Sequence, residues 1–360
     1  MTASPHVAIL GGGLIGRSAA LACLQRGLSV TLFASRQPGE SSPAGAGMLA
    51  PAIEHDGSPA EQLAVAGRDL WPAYLETLAT LSDIPVSLNR DGVLAVAVNA
   101  AAAAHKRVHL PPAARWLEAS LVAALAPGVH APHGAVHHPS DGAVDNVALL
   151  AALADALARE PGLTRAGSAR AIARDGRRVA VHGADGSRVV DRAVVALGAW
   201  TPQLAGLPRP IPVEPVRGEM LGYPVAAPSV VLYGAHAYVV PRPGGRVIVG
   251  ATMDRVGFDA GITAAARTQL HAAVGDLLPV LRSVQPDAHW AGLRPVSPDF
   301  LPILGEEPEW PALMYATGHS RNGILLAPMT AQVVARWATG EGLGYDLSAF
   351  DPTRFGNLLY

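Results

Sequence analysis

Three glycines near the start, Gly11, Gly13 and Gly16, follow the apolar run His6–Leu10 and open a helical stretch at Leu14. In this spacing the first glycine permits a tight turn and the second lets backbone approach a pyrophosphate. The third lets a helix pack closely on a strand. The free N–H groups and partial positive charge of that helix N-terminus favour phosphate. Leu14–Arg26 reads as the helix, Gly27 as its stop, and Leu28–Phe33 as a second strand, a βαβ unit over 6–34. A bare Gly-x-Gly-x-x-Gly is weak evidence, but inside this frame it predicts a dinucleotide-binding loop. The unit alone does not separate NAD(P) from FAD.

Other residues able to do chemistry are few. Cys23 is the only cysteine, so no disulfide framework and no cysteine-rich metal site is expected. It falls in the first helix, where a small buried hydrophobe is expected. His130, His133, His137 and His138 lie in a stretch rich in Pro and Gly, without helical i, i+4 pairing. A solvated loop is expected there, and no metal site. The segment Met314–Gly340 reads as strand, glycine-bearing loop and helix, an arrangement that aims free N–H groups at whatever the loop faces.

The elements that must position these residues have a mixed α/β character. Half the 360 residues are hydrophobic, with no low-complexity tract, which predicts a globular protein of about two domains. Net charge is −2 and Lys106 is the only lysine, so nucleic acid is not an expected partner. No apolar run is long enough for a membrane span, and the first residues lack the basic start of a signal peptide, so a cytoplasmic protein is expected. Ser41–Pro51 is too rich in small residues for a core element and reads as a loop passing a ligand. Helices are expected at Ser58–Ser82, Asp145–Arg159 and Thr263–Leu278. Strands are expected around Val93–Val98, over 169–195 with turns at Asp175-Gly176 and Asp185-Gly186, and over 211–256. The fold expected is a Rossmann-like nucleotide-binding domain, discontinuous over 1–82, 140–210 and 290–360. A mostly antiparallel-β substrate domain, 83–139 and 211–289, is inserted in it.

Six segments, ESSPAGAGMLAPAIE (40–54), AVVALGAW (193–200), VEPVRGEML (213–221), YVVPRPGGRVIVGATM (238–253), 290–305 with WAGLRP, and YATGHSRNGILLAP (315–328), resemble in this order the D-amino-acid oxidase family of FAD flavoproteins. Within it they are most similar to the glycine oxidases that serve thiamine biosynthesis. Residues 83–139 carry little of the resemblance. It implies FAD contacts from Gly11, Gly13, Leu14, Ile15 and Gly16, then from Ser35, Ser41, Ser42, Ala46, Gly47 and Met48. It implies that Ala169 backbone meets the adenine and that Gly198 lies close to the cofactor. The loop Gly318, His319, Ser320, Arg321, Asn322, Gly323, Ile324 and Leu325 would run along the flavin, its N–H groups suited to negative charge on the N1/O2 side.

The same resemblance implies a substrate site. Arg294 matches the arginine that grips the substrate carboxylate, a task suited to its planar fork of donors. Tyr238 matches a tyrosine whose hydroxyl meets that carboxylate, and Arg321 a residue near substrate and flavin. His236 matches a pocket histidine, and Met48 and Met253 would close a small pocket. The implied reaction is oxidation of glycine or another small amino acid or amine by O2, giving imine (then glyoxylate), ammonia and hydrogen peroxide. Two other readings stand beside it: a D-amino-acid or imino-acid dehydrogenase using a quinone, and a flavin-binding partner subunit without catalysis. Lys106 matches no oxygen-activating position of the sarcosine-oxidase relatives. The family also implies a homotetramer. One departure falls in the nucleotide unit: the carboxylate that ends the second strand in the family, and grips the ribose, is here Ala34, with Ser35 or backbone to substitute. Cys23 matches no flavin-anchoring position, so non-covalent FAD is expected.

Overall fold

The computed structural model describes residues 4–54, 58–111 and 113–356. Strands β1 (His6–Leu10) and β2 (Ser29–Phe33) are parallel neighbours, in register from His6↔Ser29 to Leu10↔Phe33, and α1 (Leu14–Gln25) connects them. They lie in a six-stranded sheet ordered 303–306, 313–317, 192–195, β1, β2, 163–166, parallel except for the edge strand Ile303–Glu306. The apolar runs are continuous because both faces are covered. Val7, Ile9, Val30 and Leu32 pack with the helices α1, Asn146–Ala158 and Ala327–Thr339. Ala8, Leu10 and Phe33 pack against an antiparallel three-stranded sheet over 169–190, through Ile172, Val179 and Val181.

The second large sheet has eight strands, ordered 288–296, 214–223, 246–250, 238–242, 231–233, 93–96, 135–138, 115–117. Alternation along its strands divides two cores. Leu221, Tyr223, Val239, Val247 and Val249 face the helix Ala264–Leu277, packing on Leu270, Val274 and Leu277. Met220, Val240, Val231 and Val93 face the opposite way, against Ala46 and Ala143, with Tyr238, Met48 and Trp290 beside them. This second face looks toward the nucleotide-binding unit. Helix starts at Asn146 and Ala264 are capped as their sequences indicate: Asp145 accepts from the Val147 and Ala148 N–H groups, and Thr263 from the Ala266 N–H.

The strand Ala288–Val296 pairs with Glu214–Tyr223 all the way from Glu214↔Val296 to Gly222↔Ala288. The residue run carrying Arg294 therefore lies in the eight-stranded sheet. His137 and His138 are not in a solvated loop: they belong to the strand Ala135–His138, which pairs with Val93–Val96, and His138 is buried. The pairing partner lies some forty residues away, so nothing local announces the strand. Among the described residues no group of three or more His, Cys, Asp or Glu is placed to hold a metal. No helix among them is long and apolar enough to cross a membrane.

Candidate active site

Between the carboxyl ends of the parallel strands and the inner face of the eight-stranded sheet runs one cleft of about 1070 Å³. Its nucleotide end is built by the first turn of chain. Gly11 has φ +127°, and a Cβ there would overlap the Ala196 carbonyl. A Cβ on Gly16 would overlap the Gly11 carbonyl, so this glycine serves helix-to-strand packing and does not line the cleft. A side chain at Gly13 would meet only Ser42 Oγ, at 3.2 Å, and would stand where the helix N-terminus opens. Ser42 Oγ accepts from the Leu14 N–H at 3.0 Å, and no side chain caps α1 at Gly13. These features fit a pyrophosphate at a helix N-terminus whose Gly13 cap carries no side chain.

The remaining expected contacts follow along the same wall. Leu14, Ile15, Ser35, Ser41, Ser42, Ala46, Gly47 and Met48 line the cleft, as do Ala169 and Gly198. So do His319, Ser320, Arg321, Asn322, Gly323 and Ile324. Gly318 and Leu325 do not line it. Gly318 (φ +66°) packs against Ile303, and Leu325 is buried in the core, its carbonyl accepting from Trp71 Nε1 at 3.2 Å. Cys23 is buried in α1, and burial pushes its thiol up to about 12.

The loop 41–47 is fastened by two residues that sequence reasoning did not single out. Asn146 Nδ2 donates to the Ser42 carbonyl at 2.9 Å, and Arg242 Nη2 donates to both Asn146 Oδ1 and the Ala46 carbonyl at 2.8 Å. Arg242 comes from the eight-stranded sheet, so one guanidinium ties the two parts of the molecule to the cofactor loop. Asn146 stands at a helix start, and its separation from Arg242 leaves no sequence signal. Asn146→Ala is expected to weaken cofactor retention about tenfold, the worth of a lost buried hydrogen-bond pair. Residual flavin after dialysis measures it, and unchanged retention would refute the role.

The substrate end lies on the sheet face. In register across it stand Trp290, Met220, Gly250 and Tyr238. A Cβ on Gly250 would overlap the Tyr238 hydroxyl, so the glycine makes room for the phenol. Burial pushes that phenol above its usual range against the pull of the adjacent Arg294 guanidinium, so the hydroxyl keeps its proton. Arg294 is half-buried and its Nη1 donates to the Thr252 carbonyl at 3.0 Å. A Cβ on Gly218, in the neighbouring strand, would overlap the guanidinium. His236 (exposed), Met253 (53 % exposed) and Met48 also line the cleft, and Arg321 does so from an exposed position.

His319 occupies the loop expected to run along the flavin. It lines the cleft, but its ring is buried and its Nε2 lies 3.1 Å from Thr330 Oγ1. Burial pulls the imidazole down to about 4, so it is neutral at ordinary pH. The unfolded chain takes up that proton near 6.5 while the folded chain does not. Stability therefore falls as pH drops from about 6.5 to about 4, by up to about 3 kcal/mol at 1.36 kcal/mol per unit. In His319→Gln this part of the pH dependence should vanish, read as urea midpoints at about pH 7.5 and about pH 4.5. An unchanged pH slope would show that the ring is not desolvated.

The model of the family described as FAD dependent oxidoreductase (DAO) matches residues 6–337. The chain belongs to that family. Its relatives include the glycine oxidase of Pseudomonas aeruginosa, 33% identical, covering 97% of this chain and 99% of the relative. The bifunctional protein ThiO/ThiG of Trichormus variabilis is 34% identical over 97% of this chain, and the chain spans 55% of that longer protein. Among solved structures, the glycine oxidase from Geobacillus kaustophilus superposes with a TM-score of 0.89 at 31% identity, covering 98% of this chain and 99% of the other. The protein is an FAD-dependent oxidoreductase with the fold of this family, and the cleft described above is where FAD fits. When bound, FAD would supply the acceptor for one hydride, that is, two electrons and a proton.

Proposed function

We propose that the protein oxidises the amine of a small amino acid, with glycine and its close analogues as substrates and O2 as the electron acceptor. The observation that carries this reading is the Arg294–Tyr238 pair, set on the sheet face of the cleft that begins at the glycine loop. A guanidinium held by the Thr252 carbonyl and a protonated phenol form a donor set for one carboxylate. The names of the relatives with high coverage support glycine as that carboxylate's owner.

In this reading Arg294 binds the carboxylate and fixes its plane, and Tyr238 donates a third hydrogen bond. Cα is thereby presented with its C–H toward the cofactor end of the cleft. Substrate loses a hydride from Cα and a proton from nitrogen, becoming an imine, which water converts to an oxo acid and ammonia. O2 takes the two electrons and two protons to become hydrogen peroxide. A substrate bound with a neutral amine requires no general base, and neutral His319, turned to Thr330, is not placed as one. The bifunctional ThiO/ThiG relative supports a role in forming the thiazole of thiamine, with the imine as the useful product.

The test is direct. The holoenzyme is mixed without oxygen with glycine, sarcosine and D-alanine while flavin absorbance is followed; air is then admitted and peroxide measured. Bleaching followed by peroxide is expected. Bleaching without peroxide would point to a dehydrogenase with another acceptor, and no bleaching with any amine to a non-catalytic flavin-binding subunit. Tyr238→Phe should raise KM for the amino acid about tenfold with flavin content unchanged, the worth of one hydrogen bond to a charged group. An unaltered KM would remove the phenol from the site.

A further inference from the structure

A dinucleotide loop ordinarily works with a carboxylate at the end of the second strand, which accepts from the ribose hydroxyls. Here that place is Ala34, and its methyl group faces the loop: a Cβ on Gly12 would lie 2.5 Å from the Ala34 Cβ. The backbone thus keeps the usual approach while the charge is missing. Among the described residues lining the cleft, two carry carboxylates, Glu40 and Asp254. Asp254 is backbone-paired with Arg217 in the eight-stranded sheet, at the substrate end beside Met253. Among the described residues, Glu40 is the carboxylate that lines the nucleotide end.

Its side chain is also directed. Glu40 Oε1 accepts from the Gln37 N–H at 2.9 Å, so the carboxylate folds back across the turn toward the end of β2. Gln37 Nε2 in turn donates to Ser35 Oγ at 3.3 Å, and both Ser35 and Gln37 line the cleft. The turn is pinned from the other side, where the Leu293 N–H donates to the Gly39 carbonyl at 2.8 Å. Arg17 Nε donates to the Gly12 carbonyl at 2.7 Å, and the Glu40 carboxylate acts electrostatically on this arginine. Gln37 and Ser35 alone would offer neutral partners, and a carboxylate is roughly twice as strong an acceptor.

We infer that Glu40 takes over the ribose-binding role of the absent strand-end acid, accepting from the adenosine ribose hydroxyls of FAD, with Ser35 and Gln37 completing the site. The acid has moved along the chain, from the end of β2 to the residue before Ser41, and works on the same sugar. The inference rests on FAD as cofactor and not on the identity of the amine substrate.

The test is a fluorescence-quenching titration of apoprotein with FAD, and with an FAD analogue whose adenosine ribose lacks its 2′- and 3′-hydroxyls. Wild type should bind FAD about 10- to 100-fold more tightly than the analogue, the range of a hydrogen bond to a charged group. Glu40→Gln should bind FAD weakly and the analogue as well as wild type does, so that most of the discrimination is lost. Ala34→Glu in the Glu40→Gln background should restore it. Equal FAD affinity of wild type and Glu40→Gln would overturn the inference. So would a Glu40→Gln protein that binds FAD and the analogue both more weakly by the same factor, because that is the signature of a disturbed turn.

Discussion

Arg294→Ala should lower kcat/KM for the amino acid by about 10²–10³-fold while leaving FAD content and thermal stability unchanged. The magnitude follows from removing one partner of a desolvated charge pair, about 2–5 kcal/mol. The selectivity follows from where Arg294 sits. It projects from the eight-stranded sheet, and its Nη1 donates to a backbone carbonyl, that of Thr252, which water in the open cleft can reach once the guanidinium is gone. The glycine loop and the fastening of 41–47 by Arg242 and Asn146 do not involve it. Arg294→Lys should recover only part of the loss, since an ammonium is a point charge without the fork that fixes the carboxylate plane. Stopped-flow flavin reduction at several glycine concentrations measures the effect without interference from oxygen. If Arg294→Ala reduces its flavin as fast as wild type at every concentration, the substrate geometry is wrong.

Legibility in the sequence followed the range of the forces. The βαβ unit was readable because its signals are local: an apolar run, three glycines at fixed offsets and a helix stop at Gly27. Arg294 and Tyr238 were reached through matched segments, and the structure brings them together from strands that are not neighbours in the sheet. The Arg242–Asn146 fastening spans some hundred residues and leaves no pattern to read. The same holds for the strand Ala135–His138, whose histidines disguise a buried alternation that only pairing with Val93–Val96 creates. WAGLRP is apolar and glycine-bearing in a way that suits either sheet, and only its pairing with Glu214–Tyr223 assigns it to the eight-stranded one. Glu40 was readable as a residue and not as a contact, because its relation to Gly12 depends on a turn between them. Gly218 and Gly250 are the furthest from legibility. They act by leaving space, and the space has meaning only once another strand's side chain is known to fill it.

Gly218 gives the second large effect, and it separates catalysis from folding. Gly218→Ala adds one methyl group to a strand, a change that by itself favours extended backbone slightly. That methyl would overlap the Arg294 guanidinium, and the nearest obstacle is the far end of a flexible side chain, not backbone. The arginine therefore yields and the sheet stays intact, with the thermal midpoint within a few degrees of wild type. The fork is displaced by about 1 Å or more, which can cost about 10²-fold in a reaction that depends on alignment. Expected is a kcat/KM lowered by about 30- to 100-fold, with FAD affinity unchanged because Gly218 is on the substrate side of the cleft. The cause is checked by a double-mutant cycle. In the Arg294→Ala background the guanidinium that the extra methyl would overlap is gone, so Gly218→Ala there should cost little further activity. Additive losses in the double variant would mean that Gly218 acts on something other than the carboxylate clamp.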